Sequence, residues 1–206
     1  QKLTQQIHGD TKITFGDKEI EMGGNWKRRS MNDLVKDETG VDFLSIEADE
    51  AARDAAKKLG VHVEDNMKWG HVLAAVFEEK VEDTLIQPTH VTDFPVEISP
   101  LAKVHRDDPR LVERFETFVN GWEIANAFSE LNDPKVQMER FAEQVAAREA
   151  GDEEAQMLDD DFVTALEYGM PPTGGWGLGI DRLVMIMTNS SNIRDVIAFP
   201  TLKPKA

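Results

Sequence analysis

Alternating apolar and polar positions open the chain, give way to helical periodicity, and return in its second half. Residues 12–22, Lys-Ile-Thr-Phe-Gly-Asp-Lys-Glu-Ile-Glu-Met, carry β-branched and apolar positions on both sides of a Phe15-Gly16-Asp17-Lys18 turn and predict a small hairpin. From Ile46 to about Lys80 helix formers dominate. Asp49 suits the N-cap of an Ala-rich helix that Gly60 would stop, and a second helix is expected from Trp69 to Val81. Residues 46–82 therefore read as a small helical insert between two β-rich segments, with their charged residues on a solvated face.

Residues 84–104 return to Thr, Val, Ile and Phe, punctuated by Pro88, Pro95 and Pro100, which suits short strands with irregular ends. The longest strand-like tract, Arg110 through Asn132, contains Asn120-Gly121 between apolar-rich flanks, a strong hairpin signal. Asp133-Pro134 then reads as N-cap and first residue of a helix to about Ala150, with Phe141 and Val145 one turn apart and Gly151 as its stop. The acidic cluster of Asp152, Glu153, Glu154 and Asp159 to Asp161 reads as a solvated linker and the cap of the next helix. Gly174 to Met187 is a glycine-rich strand running into an apolar helix.

Composition narrows the function classes. Thirty-nine acidic against 23 basic residues give a net charge of −16, which argues against a broad electrostatic grip on nucleic acid. Cysteine is absent, so disulfides, thiol catalysis and thiolate metal sites are excluded, and any metal must sit on carboxylates or histidines. The apolar run Leu183 to Met187 is far short of the roughly 18 residues a membrane helix needs. The start, Gln1-Lys2-Leu3-Thr4, has neither an initiator methionine nor a signal-peptide core and suggests a fragment or processed product.

Three groups of residues suggest chemistry. Glycines at 175, 177 and 179 allow close backbone approach to a ligand, and Arg182 offers a permanently charged fork for phosphate. The spacing matches neither a dinucleotide fingerprint nor a Walker loop, and tight strand-to-helix packing is the competing explanation. If Asn120-Gly121 is a two-residue turn, Val119 opposes Trp122 and Phe118 opposes Glu123, which puts Glu116 and Glu123 on one sheet face. Two unpaired carboxylates there repel unless a cation lies between them, and oxygen ligation completed by phosphates suits magnesium. Both could equally point to solvent. Finally, Asn126, Phe128 and Glu130 alternate along one strand face, an amide, an aromatic wall and a carboxylate fit for a ligand with an ammonium group. Strict alternation puts them opposite Glu123, so either the two sets serve different sites or a bulge near Ala125 re-aims the chain.

The segments Phe118-Val-Asn-Gly-Trp-Glu-Ile-Ala-Asn-Ala-Phe-Ser-Glu-Leu-Asn-Asp-Pro134 and Leu166-Glu-Tyr-Gly-Met-Pro-Pro-Thr-Gly-Gly-Trp-Gly-Leu-Gly-Ile-Asp-Arg-Leu183 resemble the class II lysyl-tRNA synthetases, the second containing that class's motif 3. Pro95 to Lys103 and Thr188 to Pro200 share the resemblance. It implies that Arg182 holds the ATP γ-phosphate, that Gly179 lines the nucleotide pocket, and that Glu116 and Glu123 coordinate Mg2+ on ATP. It further implies that Asn126, Phe128 and Glu130 recognise lysine, with Glu130 facing the ε-ammonium. The implied chemistry is formation of lysyl-adenylate and transfer of lysine to tRNA(Lys) by a cytoplasmic enzyme that is a homodimer at full length. The five histidines, His8, His62, His71, His90 and His105, receive no role from it.

The resemblance covers only the C-terminal part of that catalytic domain. Motif 1, motif 2 with its α-phosphate arginine, and the anticodon-binding β-barrel are not found within residues 1–206. Residues 1–206 are thus expected to be a partial catalytic domain of α+β class, a mostly antiparallel sheet flanked by helices with the insert at 46–82. Alone it should be a weak or inactive ligase with an open sheet edge that promotes self-association. A non-catalytic remnant that binds nucleotide, lysine or a partner protein is the alternative.

Overall fold

The computed structural model describes residues 1–149 and 157–201. Asn120 and Gly121 adopt φ of 57° and 73°, the left-handed turn whose twist matches the strands it joins. They connect β5 (Leu111–Val119) to β6 (Trp122–Ser129), the hairpin at the centre of the molecule. β4 (Thr89–Pro95) pairs antiparallel with β5, and β7 (Gly174–Leu178) pairs antiparallel with β6. β3 (Lys27–Ser30) adds parallel to β4, giving the order β3-β4-β5-β6-β7. The expected mostly antiparallel sheet is present, with one parallel pair at its edge.

Each sheet face carries its own core. On one face, α2 (Met31–Thr39), α3 (Asp49–Lys58) and α4 (Trp69–Lys80) bury Val35, Ala52, Val72, Leu73 and Val76 against Val91, Phe94, Val112 and Phe118. Phe77 meets Phe118 edge-on, with ring centroids 5.7 Å apart. On the other face, the hairpin β1 (Lys12–Phe15) and β2 (Lys18–Glu21) joins α7 (Ile180–Thr188). Ile20, Met22 and Ile186 are buried there with Val119 and Ile124. Each such side chain contributes roughly 1.5–3 kcal/mol of burial.

Several local expectations hold and one is corrected. Asp133 accepts from the Lys135 N–H at 2.9 Å at the start of α5 (Pro134–Glu149), and Asp159 accepts from Phe162 N–H at 2.9 Å at the start of α6 (Asp160–Glu167). The expected stop at Ala150 and Gly151 and the acidic Asp152, Glu153 and Glu154 lie outside the described residues. Asp49 is not the N-cap of α3; Ala48 holds that position. Its carboxylate accepts instead from the Trp69 N–H at 2.7 Å and so caps α4. A side chain caps whichever helix end it reaches, and a partner 20 residues away leaves no local signature. The short α1 (Lys2–His8) and α2 lie outside the apolar pattern; Gly9 and Gly40, at φ of 73° and 77°, end them.

Candidate active site

The β5–β6 register decides which side chains meet. Val119 opposes Trp122 and Phe118 opposes Glu123, after which Thr117 opposes Ala125, so Ile124 is an extra residue on β6. Without this bulge Glu123 and Asn126, three apart, would face opposite ways. With it, Glu116 pairs with Asn126 and Arg114 with Phe128, which puts Glu116, Glu123, Asn126 and Phe128 on one face. Of the two explanations open from sequence, the bulge is the one realised. Ile124 is buried on the opposite face, and its carbonyl accepts from the Gly179 N–H at 2.9 Å, which ties the start of α7 to the bulge.

Glu116, Glu123 and Arg182 line a cavity of about 410 Å3 together with Glu82, Phe118 and Trp122. Arg182 Nη1 donates to the Glu123 carbonyl at 2.6 Å and lies 3.7 Å from its carboxylate, with about half the guanidinium side chain exposed. Burial pushes the Glu116 carboxyl up to about 7; the nearby Glu123 and Glu82 charges add to the rise and Arg114 opposes it. Burial, reinforced by Glu78, Asp83 and Glu123, also raises Glu82. Among the described residues, no group of three or more His, Cys, Asp or Glu forms a complete metal site. Two glutamates completed by phosphate oxygens nevertheless fit the oxygen-only donor set of magnesium, and a divalent cation would relieve the crowded negative charge.

Arg114 is the residue sequence reasoning missed. Its guanidinium pairs with Glu116 and donates from Nε to Asn126 Oδ1 at 3.0 Å and from Nη1 to Ser99 Oγ at 2.6 Å. It also lies over the Phe94 ring, 4.7 Å from its centroid. Glu116 is therefore not an unpaired carboxylate. The signal was available, because residues 114 and 116 share a strand face by alternation. Glu82, in the 46–82 stretch assigned a solvated face, was also missed; only the tertiary fold brings it to the cavity.

Glu130 lies just past β6, with its N–H donating to the Thr173 carbonyl at 2.9 Å. It lines a second cavity of about 800 Å3 with Phe128, Leu101, Gln137 and Phe141, and burial raises its carboxyl above the usual range. The glycines of β7 differ in purpose. A Cβ at Gly175 would lie 2.0 Å from Glu130 Oε1, so that glycine makes room for the carboxylate. At Gly177 the only neighbour would be the Asn126 carbonyl at 3.9 Å, and at Gly179 the nearest atoms lie at 3.7 Å. Tight strand-to-helix packing thus does not account for Gly177 or Gly179.

A family model described as tRNA synthetases class II (D, K and N) matches residues 1–203, and the chain belongs to that family. Within the family its similarity is to lysine–tRNA ligases. It is 57% identical to that of Thermoanaerobacter pseudethanolicus over 203 residues, 98% of this chain and 41% of the relative. The enzyme of Staphylococcus saprophyticus is 54% identical over the same share. That of Rhizobium meliloti is 54% identical over 204 residues, 99% of this chain and again 41% of the relative. The chain thus spans about two-fifths of the length of these relatives.

Proposed function

We propose that this chain is the C-terminal catalytic portion of a lysine–tRNA ligase, which activates lysine with ATP and passes it to tRNA(Lys). The observation that carries the reading is the bulge at Ile124, which gathers Glu116, Glu123, Asn126 and Phe128 on one face beside Arg182. Glu130 would pair with the lysine ε-ammonium, while Asn126 and Phe128 would hold the rest of the amino acid. Glu116 and Glu123 would hold Mg2+, which when bound neutralises phosphate charge. Arg182 would bind the ATP γ-phosphate, with Gly179 letting the nucleotide approach the backbone.

In the activation step a lysine carboxylate oxygen attacks the α-phosphorus. The Pα–O–Pβ bond breaks, and the electron pair leaves with pyrophosphate. Such an in-line transfer depends on positioning and charge neutralisation more than on a general base. The longer protein would supply the α-phosphate arginine, the tRNA contacts and a second subunit.

Lysine-dependent ATP–pyrophosphate exchange by the 206-residue chain, with the other amino acids as comparison, tests this. Slow exchange specific to lysine is the expected result. Exchange driven equally by other amino acids would overturn the assignment. Silence, with ATP bound but no preference for lysine in calorimetry, would favour a non-catalytic nucleotide-binding remnant.

A further inference from the structure

Gln137, one turn into α5, is only 2% exposed, and its Nε2 is buried without a hydrogen-bond partner. Buried amides in native proteins are almost always paired, because an unpaired one forgoes the hydrogen bonds that water gives it in the unfolded chain. Gln137 lines the same cavity of about 800 Å3 as Glu130, whose other walls include Leu101, Phe128 and Phe141. An apolar residue of similar size would continue those walls with no polar group to satisfy. The amide is therefore better explained by something that enters the cavity than by the packing around it.

The chemistry of the cavity says what that is. A primary ammonium carries three N–H donors, and Glu130 alone leaves some of them unmet, because the other carboxylates of the cavity, Asp159, Asp160 and Asp161, are exposed to solvent. A carboxamide that lines the same cavity can answer both groups. With the amino acid bound, its carbonyl oxygen would accept from the ammonium and its NH2, unpaired in this structure, would turn to donate to the carboxylate. We propose that Gln137 is a further specificity-determining residue, which together with Glu130 reads the terminal ammonium of the amino acid. This rests on the lysine reading of the site and adds a residue to it.

The test replaces Gln137 by Met, of similar length and without polar atoms, with Gln137→Leu carried in parallel as a second apolar replacement. Binding of L-lysine, of norleucine as the analogue lacking the ε-ammonium, and of Mg2+-ATP is measured by calorimetry on the 206-residue chain, alongside thermal melting. Gln137→Met is expected to weaken lysine about 10-fold while leaving norleucine and Mg2+-ATP unchanged. The melting temperature should rise by about 2–4 °C, because the unpaired amide is gone. A fall in melting temperature with all ligands weakened together would mark Gln137 as structural and overturn the proposal. Glu130→Gln separates the two levels of inference. If it abolishes lysine binding while Gln137→Met has no effect, the inference about Gln137 fails and the lysine reading stands. If the parent chain binds no lysine, or Glu130→Gln leaves binding unchanged, both fail.

Discussion

Arg114 and Glu116 form an ion pair two residues apart on β5, with side chains 18% and 12% exposed. The same guanidinium holds Asn126 and Ser99, so one cation links the carboxylate proposed to hold magnesium with the amide proposed to hold lysine. The planar fork is what permits this, since its donors diverge in fixed directions. Arg114→Lys retains the charge but cannot reach Glu116, Asn126 and Ser99 together. It should cost about 2–3 kcal/mol in urea denaturation, because acceptors of a largely buried network lose their donor. A loss below about 0.5 kcal/mol would mean that the network contributes little to stability.

The high position of Glu116 makes stability depend on pH. The carboxyl titrates at an ordinary 4.5 in the unfolded chain and at about 7 in the folded protein. Between those values the folded state binds more protons, so the group's contribution is fully present below pH 4.5 and is lost as pH rises through 7. The difference amounts to about 3 kcal/mol between pH 4 and pH 8. Glu130 and Glu82 are shifted in the same direction and add to the decline. In Glu116→Gln the fall in stability between pH 5 and pH 8 should be visibly shallower than in the parent. Equal slopes in denaturant titrations at matched salt would show that Glu116 ionises normally.

The two glycines of β7 allow a paired comparison. Gly177→Ala adds a methyl that meets only the Asn126 carbonyl at 3.9 Å, so the melting temperature should stay within about 2 °C of the parent. If the groove above it admits a nucleotide, ATP affinity should fall by about 10-fold or more. Gly175→Ala brings a methyl within 2.0 Å of Glu130 Oε1 and must displace that carboxylate. Lysine binding should suffer more than ATP binding there. The same ligand profile for both variants would contradict the separate purposes proposed for these two glycines.

Much of this arrangement was legible in the sequence because it is local. Asn120-Gly121 fixes the hairpin, the hairpin fixes Phe118 opposite Glu123, and alternation then carries the face along β5. The bulge was visible only as an inconsistency between Glu123 and Asn126, since an extra residue such as Ile124 leaves no compositional mark. What sequence could not show depends on distant contacts. Glu82 reaches the cavity through the packing of α4 against the sheet, and Asp49 caps a helix other than its own. The burial of Gln137 likewise goes with a cavity whose lining is drawn from distant parts of the chain, Leu101 and Phe162 among them.

Among the described residues β7 has a strand neighbour, β6, on one side only. Its outer N–H and C=O groups are thus available to another strand. Apolar side chains are also exposed on this strand and at the start of the helix that follows it, Trp176 by 67% and Ile180 by 60%. An open edge that carries exposed Trp176 and leads to exposed Ile180 favours association between chains, in which backbone pairing is reinforced by removal of apolar surface from water. Static light scattering should therefore give a mass above the 23.1 kDa of one chain, rising with concentration. Trp176→Lys should shift the distribution toward the single chain with little change in melting temperature, because the side chain packs on little in the folded state and charge on an edge opposes pairing. A constant mass of one chain over a wide concentration range would show that neither the edge nor the patch drives association.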